Sequence, residues 1–337
     1  MHIYTLHKWL LLFYLYCFIG WIWESCYVSL KKHKWINRGF LKGPLLPIYG
    51  SGAVVVLIST LTVENNLLLV FVIGMISATI LEYITGVAME KLFHVRYWDY
   101  SKEPFNINGH ICLISSLAWG VFSVLLVTFV NPNIERLVII IPNGISEVIS
   151  YIITVFITID AVQSFNEAMD LKKILIKFTE RNDAINNVKK RIEIFEAFIN
   201  EDVKSIQEKL IKKVSIKQEK ASLKKNTRKQ AIEVIIRKNL ELKQEAMKGF
   251  VEKVSRYVDK FDEISSKVID EPSKLRAEFL EHLSRLKSHE SKINNTENKV
   301  YINSINILRR NPNARAKRYE EAMREVKDLD KEVKGKE

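Results

Sequence analysis

The chain has 337 residues and a formal net charge of +12, and these totals conceal two unlike halves. Residues 1–164 hold ten Lys/Arg against nine Asp/Glu, with all six Trp and ten of the twelve Gly; residues 165–337 hold 41 against 30. The split excludes one soluble globule and implies a membrane domain followed by a basic helical domain. Charges of both signs interleave along the tail, as on a solvated helix near anionic lipid, so membrane lipid and no nucleic acid is the expected partner. Cys17, Cys26 and Cys112 show no CxxC spacing, and neither a disulfide nor a metal site is expected.

In chain order, five apolar segments are candidates to cross a bilayer: about 4–28, 47–63, 67–90, 111–130 and 137–162. The first has no basic leader, and Trp21, Trp23 and Glu24 stand where a signal peptide needs small residues, so it reads as a membrane helix. The second is the shortest and begins among Pro44 and Pro47. The first connection carries Lys31, Lys32, Lys34, Arg38 and Lys42, and the third carries Lys91, Arg96 and Lys102. The second, near Glu64, has no cation, and the fourth has only Arg136. The positive-inside rule then puts the N-terminus outside and both basic loops in the cytoplasm with the C-terminal domain, in the plasma membrane.

Carboxylates within these spans are costly, about 2.5–3.5 kcal/mol each at mid-bilayer, so they must face protein or water or stay protonated. Glu24, Glu82, Glu147 and Asp160 are of this kind. Gly74, Ala78, Glu82, Gly86 and Glu90 recur at every fourth position, a ridge that permits close helix packing. The fourth span offers Cys112, Ser116, Gly120 and Ser123; the fifth offers Gly144, Glu147, Tyr151, Thr154 and Thr158. Two readings stand: a polar cavity near Glu82 and Glu147, or interhelical hydrogen bonds that fix the bundle.

The third loop, RYWDYSKEPFNINGHIC (96–112), is aromatic and titratable. Tyr97, Trp98 and Tyr100 suit the headgroup level. Arg96 has Asp99, Glu90 or a lipid phosphate as expected partners. Asn106, Asn108 and Gly109 are expected to cap the fourth helix. His94, Asp99 and His110 lack the spacing of a metal site.

FYLYCFIGWIWES (13–25), NRGFLKGPLLPIYGSGA (37–53), LEYITGVAMEKLFHVRYWDYS (81–101) and FNINGHICLISSLAWG (105–120) resemble the membrane proteins of the Putative ABC-transporter type IV (CmpB) family. His110 departs from the Arg expected there in many relatives. The resemblance implies a permease-like component of open substrate. Because no GxxxxGK[ST] loop is present, ATP hydrolysis would fall to a separate ABC ATPase subunit.

From Leu171 to Val214 apolar residues recur at spacings of three and four, and again from Val234 to Val268, until Pro272. Such narrow stripes predict long helices that pair as coiled coils, with self-association as one outcome. Shorter helices are expected at 273–290 and 315–333, while 300–308 stays undecided. The expected fold is therefore all-α: a polytopic membrane helix bundle of about five transmembrane helices over 1–164, then a cytoplasmic coiled-coil domain over 165–337. No catalytic constellation and no cofactor motif is found. A membrane-anchored coiled-coil scaffold is the rival reading, and an interfacial enzyme acting on lipid headgroups is a third.

Overall fold

The computed structural model describes residues 5–198 and 298–334, with scattered helical positions between 245 and 288. Its elements are helices: α1 (Leu6–Lys32), α2 (Pro47–Thr60), α3 (Leu67–Phe93), α4 (Leu113–Leu125), α5 (Asn131–Ile140), α6 (Asn143–Phe198), α7 (Asn298–Arg310) and α8 (Glu320–Lys334). A π-helical turn, Leu126–Val130, joins α4 to α5, and a 3-10 turn, Lys317–Tyr319, precedes α8.

Local chemistry sets the helix ends. α1 and α3 each stop at a histidine in the left-handed region, His33 at φ 50° and His94 at φ 58°. Asn66 starts α3 by accepting the Leu68 and Leu69 N–H groups, and Pro47 starts α2, where its missing donor is harmless. The amide-rich run 106–109 does not cap α4. Cys112 and Ser115 do so reciprocally, because Asn106 is already engaged with the Gly109 N–H at 3.1 Å.

Among the described residues, four helical runs are long and apolar enough to cross a membrane: Leu6–Lys32, Leu67–Phe93, Leu113–Ile140 and Asn143–Lys190. The expected second span shrinks to α2, whose fourteen residues reach only about 21 Å against a hydrocarbon core of about 30 Å. The preceding chain accounts for the difference by running back down the side of α1 as irregular backbone. The Ile36 N–H meets Ser29 Oγ at 2.9 Å, the Arg38 N–H meets Ser25 Oγ at 3.2 Å, and the Leu46 N–H reaches the Cys17 carbonyl at 3.0 Å. The expected fourth loop is also displaced. Residues 131–136 are helical, and the break comes at Ile141–Pro142, so Arg136 lies inside α5.

Large apolar residues such as Leu11, Leu12, Leu57 and Val138 are buried together, but the packing of α3 is inverted relative to a soluble core. On α3 the buried ridge is Gly74, Ala78, Glu82 and Gly86, while Ile76, Ile80 and Ile84 are exposed. A Cβ on Gly74 would lie 2.3 Å from the Ser123 hydroxyl of α4, and one on Gly120 would lie 2.6 Å from the Phe71 ring. Small residues inside and large apolar ones outside suit a lipid solvent, where close approach rather than water exclusion drives association. On α6 Ser146, Ser150, Ser164 and Glu167 are buried polar positions, while Glu147 and Tyr151 are exposed and Gly144 meets nothing within 4 Å. The expected stripe on this helix was therefore out of phase, apart from Thr154, which bonds the Tyr14 hydroxyl at 2.6 Å.

The chain forms two compact units. The first is Met1–Lys172 together with Asn303–Glu320, so a segment expected in the tail belongs with the membrane helices. The second is Lys173–Ile302 with Glu321–Glu337. Within it, Phe178 and Tyr301 meet at 6.1 Å between rings, and Arg181 sits over Phe178 and pairs with Glu325. The undecided stretch 300–308 is helical, within α7. Most of the second expected tail helix, and most of 273–290, lies outside the described residues.

Candidate functional site

The first unit contains a partly open cavity of about 240 Å³, lined by Glu24, Arg38, Tyr49, Glu82, Trp98, Tyr100, Trp119 and Asn311 among others. Its construction follows from the two returning loops. Glu24 lies eight residues from the end of α1 and Glu82 eleven from the end of α3, which places them about 12 and 16 Å along their helices from those ends. The descending chain 36–46 brings Arg38 down to Glu24, and the third loop brings Tyr100 and Trp98 down beside Glu82.

Arg38 is the hub. Its Nε donates to Glu24 at 3.3 Å, one terminal nitrogen donates to the Tyr97 carbonyl at 3.2 Å, and the other donates to the Asn311 side chain. Tyr49 donates its hydroxyl to the second Glu24 oxygen at 2.9 Å. Glu82 is held by neutral groups: the Trp119 indole N–H at 3.0 Å and the Tyr100 hydroxyl at 3.2 Å. Among the described residues no Lys, Arg or His pairs with Glu82, although its residue is only 6% exposed. Arg38, Glu24 and Glu82 are the charged groups of the lining, which formally sum to one negative charge.

Asn311 closes the wall from the far end of the sequence. Its amide nitrogen donates to the Gly39 carbonyl at 2.9 Å, and Arg310 pairs with Glu167 at 2.7 Å. Arg96 and Arg315 exchange both backbone hydrogen bonds, at 2.7 and 2.9 Å. Tyr319 rests against the His94 ring.

The rest of the third loop binds itself. Arg96 donates to Glu90 at 2.7 Å, to the Asn108 carbonyl at 2.8 Å and to Asp99 at 3.4 Å. His110 meets the other Glu90 oxygen at 3.1 Å and packs over Gly86. Asp99 also takes the Ser101 hydroxyl and N–H, and Asn108 donates to Tyr83. Burial, then the neighbouring Arg96, lowers the His110 pKa from its ordinary value. Burial would raise Asp99, but the Ser101 hydrogen bonds and Arg96 outweigh it and hold that carboxyl below its ordinary value. Tyr97 is buried rather than interfacial, and its phenol is pushed above its ordinary range by that burial.

Of the sequence candidates, Glu24 and Glu82 share the cavity. Arg96, Asp99, Asn106, Asn108 and His110 form the adjoining loop framework, and Glu147 stands apart on an exposed face of α6. Arg38, Tyr49, Trp119 and Asn311 were missed as site residues. Arg38 had a signal, since it falls in the motif NRGFLKGPLLPIYGSGA (37–53) quoted above.

These features define a helical membrane protein with returning loops that wall an aromatic-lined cavity holding Glu24, Arg38 and Glu82. Residues 11–165 match the model of the family described as Putative ABC-transporter type IV. No curated protein and no solved structure matches the chain.

Proposed function

We propose that this chain is the permease-like membrane component of a transport system whose ATP is hydrolysed by a separate subunit, and that the cavity holds its substrate. The observation that carries this reading is the cavity itself: Glu24, Arg38 and Glu82 converge within the apolar bundle, where unneeded charge is strongly disfavoured. The similarity of residues 11–165 to that family model supports the same class. The basic first and third loops, which lie at one end of the bundle through the Arg38–Tyr97 contact, face the cytoplasm with the tail.

Purification of the full chain from its native membrane in mild detergent tests this. An ATP-binding subunit should co-purify, and Glu82→Gln should leave that assembly intact while abolishing substrate-stimulated ATP hydrolysis. Absence of any ATPase, with full cellular function retained by the second unit tethered to an unrelated membrane helix, would favour the scaffold instead.

A further inference from the structure

We infer that the cavity is a binding site for a small organic cation, an alkylammonium group seated between Glu82 and the aromatic rings around it. This rests on the reading of the cavity as a ligand site and names its chemistry. Arg38 is already matched by Glu24, Asn311 and the Tyr97 carbonyl. The unmatched charge is therefore on Glu82, whose hydrogen-bond partners Trp119, Tyr100 and Ser115 are all neutral.

A carboxylate with four lone-pair positions has room to accept further N–H groups or to face a quaternary nitrogen. The walls suit the same guest, because Tyr49, Trp98, Tyr100 and Trp119 all line the space, and Tyr49 and Trp119 lie 5.9 Å apart between ring centres. Electron-rich ring faces in a desolvated site attract cations. An anion would meet Glu24 and Glu82, with an arginine that is already engaged. The volume of about 240 Å³ admits an amine of metabolite size and excludes a peptide. A free amine and the headgroup of a lipid share this chemistry.

The full chain, in nanodiscs of phosphatidylglycerol, is titrated with choline, with its uncharged carbon isostere dimethylbutanol and with acetate, followed by calorimetry and tryptophan fluorescence. Choline should bind saturably, and the isostere at least about tenfold more weakly, since the two differ in charge alone. Glu82→Gln and Trp119→Leu should each weaken choline at least about tenfold. Trp119→Leu keeps the carboxylate, so it reads the cation–ring contact even if Glu82→Gln fails to fold.

Equal binding of choline and isostere would overturn the cation assignment, as would choline binding indifferent to both variants. Acetate binding lost in Arg38→Gln would also overturn it, while leaving the cavity a ligand site. No binding of any probe would remove the ligand site itself. In phosphatidylcholine nanodiscs, unchanged choline affinity identifies a free cation as the guest, and loss of the choline signal identifies the lipid headgroup.

Discussion

Arg38 draws together three parts of the chain: Glu24 on α1, Tyr97 in the third loop and Asn311 near the C-terminus. A planar fork with five donors can serve all three, and a lysine ammonium on a flexible stem cannot. Arg38→Lys should therefore lower stability by about 1–3 kcal/mol, seen as a lower melting temperature in detergent. Gly109 is equally constrained. It sits at φ 76°, and a Cβ there would meet Ser101 Oγ at 2.4 Å and the Arg96 guanidinium at 2.6 Å. Gly109→Ala should break the Arg96 network and raise hydrogen exchange across 96–110, whereas Gly144→Ala, with open space around it, should change neither. The carboxylates were legible from sequence because charge in an apolar run is conspicuous. Their aromatic neighbours were not, because Trp and Tyr at a membrane end suit the interface equally well.

The irregular stretch 36–46 is the element whose stability is least expected, since bare backbone at depth needs partners other than water. It finds them in Ser25, Ser29 and the Cys17 carbonyl, and in Asp160, which accepts from the Lys42 N–H at 2.9 Å and the Gly43 N–H at 2.7 Å. Asp160→Ala should orphan both N–H groups at a cost of about 2–4 kcal/mol, while Asp160→Asn, which retains an acceptor, should lose less than half of that. Thermal melts of the two variants side by side make the comparison.

The third loop carries a pH response of defined sign. Burial, then Arg96 for His110 and Lys172 for His94, lowers both imidazoles below 6.5. The unfolded chain thus binds more protons than the folded one as pH falls through 6.5, and acid weakens folding there. Asp99, held low, adds a loss of the same sign at lower pH. Protection factors at 94–110, which correct for the intrinsic pH dependence of amide exchange, should fall on going from about pH 7.5 to about pH 5.5, and the His94→Gln, His110→Gln double variant should flatten that change.

At the scale of the whole molecule, the membrane unit is discontinuous in sequence. Asn303–Glu320 supplies Asn311 to the cavity, Arg310 to Glu167 and a backbone bridge to Arg96. A chain ending at Ile302 should insert but melt lower than the full chain, because Arg38 and Glu167 lose partners at buried positions. A synthetic peptide spanning 303–320, added in excess, should restore the melting temperature; a scrambled peptide should not. Orientation is tested separately. A reporter active only in the cytoplasm should be active when fused after Trp98 and silent when fused near Asn65 or Pro142.

Residue order and hydropathy alone determined that this is a helical membrane protein with a basic helical tail, and that Glu24, Glu82, Glu147 and Asp160 are its exceptional carboxylates. They did so because burial of charge in lipid is penalised wherever the chain goes, and helical periodicity is a local property. That Glu24 and Glu82 share a cavity while Glu147 lies on an exposed face came only from the fold. The shortness of α2, the phase of the α6 face and the return of Asn311 to the cavity wall were decided only in three dimensions. Each depends on which distant groups satisfy a backbone N–H or an arginine, and no local pattern encodes that pairing.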